Sequence, residues 1–512
     1  MSRSLYARLH RRFGQPISGS DQKRLVRDRI AWFKRRFPIE QWLAASEAAP
    51  KSRRPRVVIV GGGFAGLMAG FVLANSHKVT VFEARPRVGG RVWSWIDRRS
   101  KQITEAGGEF IGYAHPLWMS LAEHFELGLS MITDDDDYAA LNLEMPTHFD
   151  GRLLSAKTVE RIYDEMTGAI GLLSRDARSL TKPYRPWLAP HAARWDRLPV
   201  SAWIDGLDVS PLAKAMIKTQ FANNNGVPAS RQSYLGILAL IAGAQRAQSG
   251  KEEHDDSYFT QTENVRCESG NQSLALRLAE TIERQGGEVK LSNWVTRITV
   301  HARGVTVTPH HGKPITADHA VLAVPPSAWD RIEVDPPIDP SYRMSMGTVV
   351  KYFSTVRTRF WFADKLSPNS TSENFGMTWD ATDNQMQAPG QNVRFALFAG
   401  GKAAERALSV YDKSRPARLH RFYDRCIGEV YKAYPSSRVR WPRFVAWPLE
   451  PWTWGGYSCP APGEVTRIGK FLSQPYCRHL HFAGEHVCLP FYGFMEGALQ
   501  SGAMAAKAIL EA

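Results

Sequence analysis

The chain has 512 residues, enough for two or more domains, and its 43% hydrophobic and 22% charged content is that of an ordinary globular protein. Cys267, Cys426, Cys459, Cys477 and Cys488 stand apart with no Cys-x-x-Cys pair, which argues against a disulfide framework or a zinc site and suits a reducing, cytoplasmic setting. The net charge of +15 would suggest nucleic acid, but residues 1–56 alone hold 15 Lys and Arg against 4 Asp and Glu, so the body is close to neutral.

Residues 1–54 read as a basic N-terminal helical arm and linker. "RRFG" at Arg11–Gly14 has the look of a twin-arginine signal, but the polar "QPISGSDQKR" that follows excludes an export sequence. From Ser20, in capping position, Val26, Ile30, Phe33 and Phe37 recur at helical spacing among Lys and Arg. The plainest reading is a basic amphipathic helix packed on its own body. Peripheral membrane or partner contact is the alternative, and nucleic acid is not expected. Deleting residues 1–50 is expected to leave the rest intact. No run reaches the roughly 18 apolar residues of a membrane-spanning helix.

Val57–Val60 is a β-branched run of the kind that forms a buried parallel strand. Gly61, Gly63 and Gly66 follow as Gly-x-Gly-x-x-Gly. Gly61 allows the turn, Gly63 lets a pyrophosphate approach the backbone, and Gly66 lets helix pack on strand. Leu67–Leu73 continues the helix and Val79–Phe82 is the second strand. Glu83 ends it, 17 residues after Gly66, where a carboxylate accepts from both ribose hydroxyls and repels a 2′-phosphate. This is a dinucleotide site that disfavours NADP.

Asp134–Asp137 reads as a solvated turn, and so does His310–His311. The fifteen histidines show no ligand spacing, so no metal is expected. Residues 131–254 show helical periods, as in "VERIYDEMTGAIGLLSRDA" and "LGILALIAGAQRA". Residues 331–444 mix strands ("GTVVKYFSTV", "VRFALFAGG") with a helix ("ARLHRFYDRCIGEVYKAY"). In the C-terminal "HFAGEHVCLPFYGFMEGALQSGAMAAKAIL", Gly484, Gly493, Gly497 and Gly502 sit where a helix prefers bulk. Something must come close to that backbone.

Several of these stretches resemble the flavin-containing amine oxidase superfamily, which includes monoamine, polyamine and L-amino acid oxidases. They are "EARPRVGGR" (Glu83–Arg91), "EAGGEFIG" (Glu105–Gly112), Cys267–Val300, "HAVLAVPP" (His319–Pro326), Met346–Phe362 and the C-terminal "FAGEH…GFMEGALQSG". The resemblance implies an α/β fold, α+β overall. A discontinuous Rossmann-like FAD-binding domain would take 55–130, 255–330 and 445–512. An inserted mixed sheet-and-helix substrate domain would take 131–254 and 331–444.

It also implies noncovalent FAD held by Gly61, Gly63, Phe64, Ala65, Gly66, Glu83, Ala84, Arg85, Gly89, Gly90, Arg91, Gly107, Gly108, Glu109, Phe110, Val295, Gly484, Glu485, Gly493, Phe494, Met495 and Ala498. Val295 would abut the adenine. The C-terminal helix would point its N-terminus at the flavin pyrimidine, its glycines allowing the approach. Lys351 would hold a water beside flavin N5. Phe494 would be one aromatic wall, and Tyr457 or Trp454 the other. Monoamine oxidases carry a flavin-linking cysteine just after their glycine pair. Here Tyr457 follows Gly455 and Gly456, and Cys459 comes two residues late, so no covalent link is expected.

The implied reaction is hydride transfer to flavin from the carbon next to a neutral amine, followed by imine hydrolysis and reduction of O2 to hydrogen peroxide. "EFIG" (Glu109–Gly112) offers no arginine where many L-amino acid oxidases bind the carboxylate, which favours a small-molecule amine without one. The alternative is an L-amino acid oxidase or a related flavin amino acid monooxygenase. A carotenoid or porphyrinogen desaturase would lack "MEGA" and Lys351, and a flavin-holding interaction subunit would lack turnover. A homodimer is compatible with all of these.

Overall fold

The computed structural model describes residues 4–14, 24, 27, 28, 30, 31, 34, 35, 54–246, 257–385 and 392–512. Its frame is a five-stranded parallel sheet in the order Leu480–Phe482, His319–Leu322, Arg56–Val60, Lys78–Phe82, Glu288–Lys290. Three distant stretches of chain therefore meet in one sheet. The helix Phe64–Leu73 leaves the central strand through the glycine turn and is buried on every side. Being apolar all round, it can be covered on two flanks. Gln272–Arg284 packs on one and the C-terminal helix Met495–Leu510 on the other.

Gly66 and Gly502 make that packing possible. A Cβ on Gly66 would stand 2.0 Å from the Gly61 carbonyl oxygen, and one on Gly502 would stand 2.2 Å from that of Ala65. Gly497 is likewise closed off, since its Cβ would lie 2.1 Å from the Phe491 carbonyl oxygen. For Gly497 and Gly502, what comes close to the C-terminal backbone is therefore the protein's own chain.

A seven-stranded sheet lies beside this frame, in the order Arg438–Ala446, Val349–Val356, Val393–Gly400, Gly376–Asp380, Thr371–Ser372, Thr147–Phe149, Arg152–Leu153. It is antiparallel except where Thr371–Ser372 runs parallel to Thr147–Phe149. Side chains alternate across a strand. Val350 and Tyr352 accordingly face the core that holds helix Ala417–Val430, while Val349 and Phe353 face a second core with Trp379 and Trp447. Lys351 belongs to this second set. Helix Pro211–Asn225 packs on strand Val393–Gly400 and on helix Ala156–Arg178, which in turn packs on Tyr234–Arg246. Among the described residues no helix is long and apolar enough to cross a membrane.

The N-terminus departs from the expected separable arm. Helix Leu5–Phe13, capped by the Ser4 hydroxyl, buries Leu5, Tyr6 and Leu9 in the main core. Tyr6 stacks on Tyr163 and meets Phe259 edge-on at 5.6 Å. Arg8 is fully buried, and its guanidinium donates to the carbonyls of Ser370 at 2.6 Å and Thr378 at 3.2 Å. Arg11 lies 3.4 Å from both Asp134 and Asp135. Asp134–Asp137 is thus not a solvated turn. Asp134 opens the helix Asp135–Ala140 with a capping box, and Asp135 is buried. Most of the amphipathic helix expected from Ser20 to Phe37 lies outside the described residues; Lys34 sits 3.6 Å from Glu123.

Candidate active site

One elongated cavity runs from the glycine turn, past the seven-stranded sheet, to an aromatic end. Gly61, Gly63, Phe64 and Ala65 line its first part. Gly63 caps the helix start without any side-chain cap, so the first N–H groups are left for an anion. A Cβ on Gly63 would meet nothing nearer than Gly90 Cα at 4.0 Å, which marks open space beside the backbone. Glu83 closes this end. Its carboxylate accepts from the backbone N–H of Gly62 at 2.7 Å and of Arg85 at 2.8 Å. Burial raises its pKa against those two bonds. Next to Val295, Trp294 stacks on His310 at 3.7 Å and meets the tilted Trp452 ring at 5.1 Å.

Lys351 reaches the middle of the cavity from a fully buried central strand. Its ammonium donates to Glu109 Oε2 and to the carbonyls of Glu105 and Gly107, each at 2.9 Å. Glu109 also accepts from Arg266 Nε at 3.1 Å and Nη2 at 3.0 Å, and from Trp379 Nε1 at 2.9 Å. Burial alone would raise the Glu109 pKa, but Lys351 and Arg266 outweigh it and hold the carboxyl below its ordinary value. At Glu105 the Lys351 charge counts for less than burial. Burial pushes it up to about 7 against hydrogen bonds from Asn271 and Ser94.

The far end is built by the C-terminal segment. Glu485 accepts from Arg91 at 2.8 Å, from the Ser458 N–H and hydroxyl, and from the Gly493 N–H at 2.6 Å. These contacts tie three chain segments together, and with Arg91 foremost they overcome burial to keep Glu485 ionised. Gly493 has φ +80°, and a Cβ there would lie 3.3 Å from Tyr457 Cδ2, so the Tyr457 ring sits over the turn that presents Phe494. The Tyr457 hydroxyl donates to the Asn224 carbonyl at 2.6 Å. Tyr258 meets Phe494 edge-on at 6.3 Å.

Gly61, Gly63, Phe64, Ala65, Glu83, Ala84, Arg85, Gly89, Gly90, Arg91, Gly107, Gly108, Glu109, Phe110, Val295, Gly484, Glu485, Gly493, Met495 and Ala498 all line the cavity with Lys351, Tyr457 and Phe494. Two expected residues do not line it. Gly66 is closed off by the Gly61 carbonyl. The Trp454 ring is held under the Arg331 guanidinium at 5.0 Å, and Trp452 faces the cavity instead. Trp379, Tyr258 and Glu263 line the cavity, and Arg266 stands behind it, without any expectation from sequence. Arg266 lies just before Cys267, at the edge of a quoted motif, but nothing in its spacing announces its partner. Cys459 is buried and is not among the described lining residues. Burial raises its thiol pKa.

The sequence pattern described as flavin containing amine oxidoreductase matches residues 64–510. A flavin-containing amine oxidase of Danio rerio is 24% identical over 479 residues, 89% of this chain and 85% of its own length. The putative flavin-containing monoamine oxidase AofH of Mycobacterium tuberculosis H37Rv is 27% identical over 475 residues, 88% and 96% of the two chains. Among solved structures, putrescine oxidase bound to putrescine superposes with a TM-score of 0.72 at 22% identity, over 90% of this chain and 99% of that one. Cyclohexylamine oxidase from Brevibacterium oxydans IH-35A gives 0.73 at 22% identity with the same coverage.

Proposed function

The chain belongs to the flavin containing amine oxidoreductase family, whose members use FAD and act on a CH–NH bond, and from this premise we propose that it oxidises amines that carry no carboxylate. In the balanced reaction one primary amine, one dioxygen and one water give one carbonyl compound, one ammonia and one hydrogen peroxide. FAD, when bound, supplies the two-electron acceptor.

The residues present suit that cofactor. The open space at Gly63, the uncapped helix start and the nearby Arg85 suit a pyrophosphate. Glu83 suits a ribose, and Trp294 and Val295 suit an adenine. Gly484, Glu485, Met495 and Ala498, with Lys351 across from them, would hold the ring system. The buried, protonated Cys459 outside the described lining supports noncovalent binding.

The observation that carries the substrate reading is the charge inventory of the cavity. Among its described lining residues the cations are Arg85, Arg91 and Lys351. Lys351 is taken up by Glu109 and Arg91 by Glu485. Arg85 donates to the Pro451 carbonyl and the Thr453 hydroxyl, at the glycine-turn end. A carboxylate entering beside Tyr457 and Phe494 would therefore find each of these cations already engaged. An amine entering there loses water among aromatic rings, which lowers its pKa and favours the neutral, oxidisable form. The two rings also fix its orientation. The similar solved enzymes named for putrescine and cyclohexylamine support an amine of this kind.

A peroxide-release screen of the FAD-loaded protein over primary amines and L-amino acids tests this. Turnover of amines is expected. Turnover confined to L-amino acids, with 2-oxo acid formed, would overturn it. Acid precipitation should release intact FAD and leave a colourless pellet; colour kept in the pellet would mean a covalent link.

A further inference from the structure

The helix Leu5–Phe13 lies outside the residues 64–510 that match the family, yet its contacts lead to one wall of the cavity. The link is a run of four aromatic rings. Tyr6 meets Phe259 edge-on at 5.6 Å, Phe259 meets Tyr258 edge-on at 4.9 Å, and Tyr258 meets Phe494 edge-on at 6.3 Å. Tyr258 and Phe494 line the cavity. Tyr6 and Phe259 stand behind them, buried in the main core.

Tyr258 and Phe259 belong to Ser257–Thr260, a helix of a single turn. Successive helical residues point about 100° apart, so Tyr258 can face the cavity while Phe259 faces the core. One turn has too few internal hydrogen bonds to hold its own place, and tertiary contacts must do so. On the C-terminal side they are polar. The Thr262 hydroxyl donates to the Tyr258 carbonyl at 2.9 Å, the Asn264 side chain donates to the Thr260 carbonyl at 3.3 Å, and Ala114 N donates to the Gln261 carbonyl at 2.9 Å. On the side of the rings the turn packs on helices Leu5–Phe13 and Tyr234–Arg246, with Phe259 against Tyr6. Tyr6 is itself fixed. Its N–H donates to Gln220 Oε1 at 2.7 Å, and its ring stacks on Tyr163 at 5.8 Å and on His10 at 5.9 Å.

We propose that Tyr6 is a positioning residue for the substrate end of the cavity: through Phe259 it sets the place of Tyr258, and so the size of amine that the aromatic end prefers. This deepens the amine reading above and rests on it only for the choice of substrates. Rings in contact transmit a displacement because a packed core leaves no slack to absorb it. Without the Tyr6 ring, Phe259 can sink toward the vacated space and draw Tyr258 away from Phe494. A small amine then loses contact area, and a bulky one gains room. Tyr6 touches no reacting atom, so its effect belongs to binding and selectivity rather than to the chemical step.

The test compares n-butylamine with benzylamine in the FAD-loaded wild type, Tyr6→Leu, Tyr6→Phe, Phe259→Leu and Leu9→Ala. In Tyr6→Leu the benzylamine-to-butylamine ratio of kcat/KM should rise by about tenfold, mainly through a higher KM for butylamine, with FAD affinity unchanged. Tyr6→Phe keeps the ring and should behave as wild type. Phe259→Leu cuts the same run of rings and should reproduce the Tyr6→Leu shift, which keeps the test open if Tyr6→Leu fails to fold. Leu9→Ala also weakens the buried face of the helix, and should lower Tm without moving the ratio. In a Tyr258→Ala background, Tyr6→Leu should add no further change in the ratio, since Tyr258 is the group it acts through. A ratio unchanged in Tyr6→Leu or, if that variant does not fold, in Phe259→Leu, would overturn the inference and leave the amine reading standing. So would a ratio moved equally by Leu9→Ala, or a full Tyr6→Leu effect without the Tyr258 ring. Oxidation of L-amino acids alone would overturn the amine reading, and the same ratio taken between L-phenylalanine and L-alanine would still decide the role of Tyr6.

Discussion

Lys351 Nζ lies 2.9 Å from Glu109 Oε2, and the two residues are 242 positions apart in the chain. The pair is buried, and Arg266 and Trp379 share the same carboxylate. The ammonium beside the cavity is therefore part of a compensated cluster, not an isolated charge.

Lys351→Met should cost about 2–4 kcal/mol of stability, because it leaves Glu109 with one cation fewer inside the protein. Adding Glu109→Gln should recover much of that loss. Chemical denaturation of the two single variants and the double variant gives the coupling; strictly additive losses would contradict the pairing. In the FAD-loaded enzyme, reoxidation by O2 should slow by about 10²-fold while reduction by substrate changes less. Stopped-flow kinetics showing the reverse pattern would move Lys351 to substrate binding.

Glu83→Gln should weaken FAD binding by about 1.5–3 kcal/mol. The amide has one acceptor oxygen where the carboxylate serves both Gly62 N and Arg85 N, and its NH2 group would face a donor. Fluorescence titration of the apoprotein with FAD measures this. An unchanged Kd would mean that the carboxylate touches no part of the cofactor and that the turn holds its shape without it.

Glu496 gives a pH dependence. Burial raises its pKa to about 7 against hydrogen bonds from Gln500 and from the N–H groups of Leu117 and Trp118. The folded chain thus keeps a proton that the unfolded chain releases above its ordinary value of 4.5. This stability is complete below that value and is lost as pH rises through about 7. Its slope approaches about 1.4 kcal/mol per pH unit between those limits. Glu105, also near 7, acts in the same direction. Thermal unfolding between about pH 5 and pH 8 should show Glu496→Gln with a flatter curve than wild type. Parallel curves would mean that Glu496 does not titrate in this range.

Arg8→Ala should destabilise the protein by about 3 kcal/mol or more, since it leaves the carbonyls of Ser370 and Thr378 without their charged donor and opens a cavity. Thr378 lies between Met377 and Trp379, which line the active-site cavity. Loss of substrate affinity should therefore accompany the fall in Tm. A variant with wild-type Tm would restore the reading of a separable arm.

The sequence by itself determined what depends on near neighbours. The β-branched run at Val57–Val60, the three glycines and Glu83 specify strand, turn, helix and strand because each residue acts within its own turn or pleat. The helical periods of Ala156–Arg178 and Tyr234–Arg246 are local in the same way. Only the tertiary structure decided which distant groups share a buried space. Glu109 pairs with both Lys351 and Arg266, Trp452 rather than Trp454 faces the cavity, and Glu263 comes to line the cavity with Tyr457. Leu5–Phe13 looks in sequence like the start of a basic arm, because Arg8, Arg11 and Arg12 recur along it. Folded, the Tyr6 N–H, the Tyr6 ring and Arg8 find partners more than 200 residues away, at Gln220, at Phe259, and at Ser370 and Thr378. Burial and charge pairing are set where the chain returns on itself, and local spacing does not encode that return.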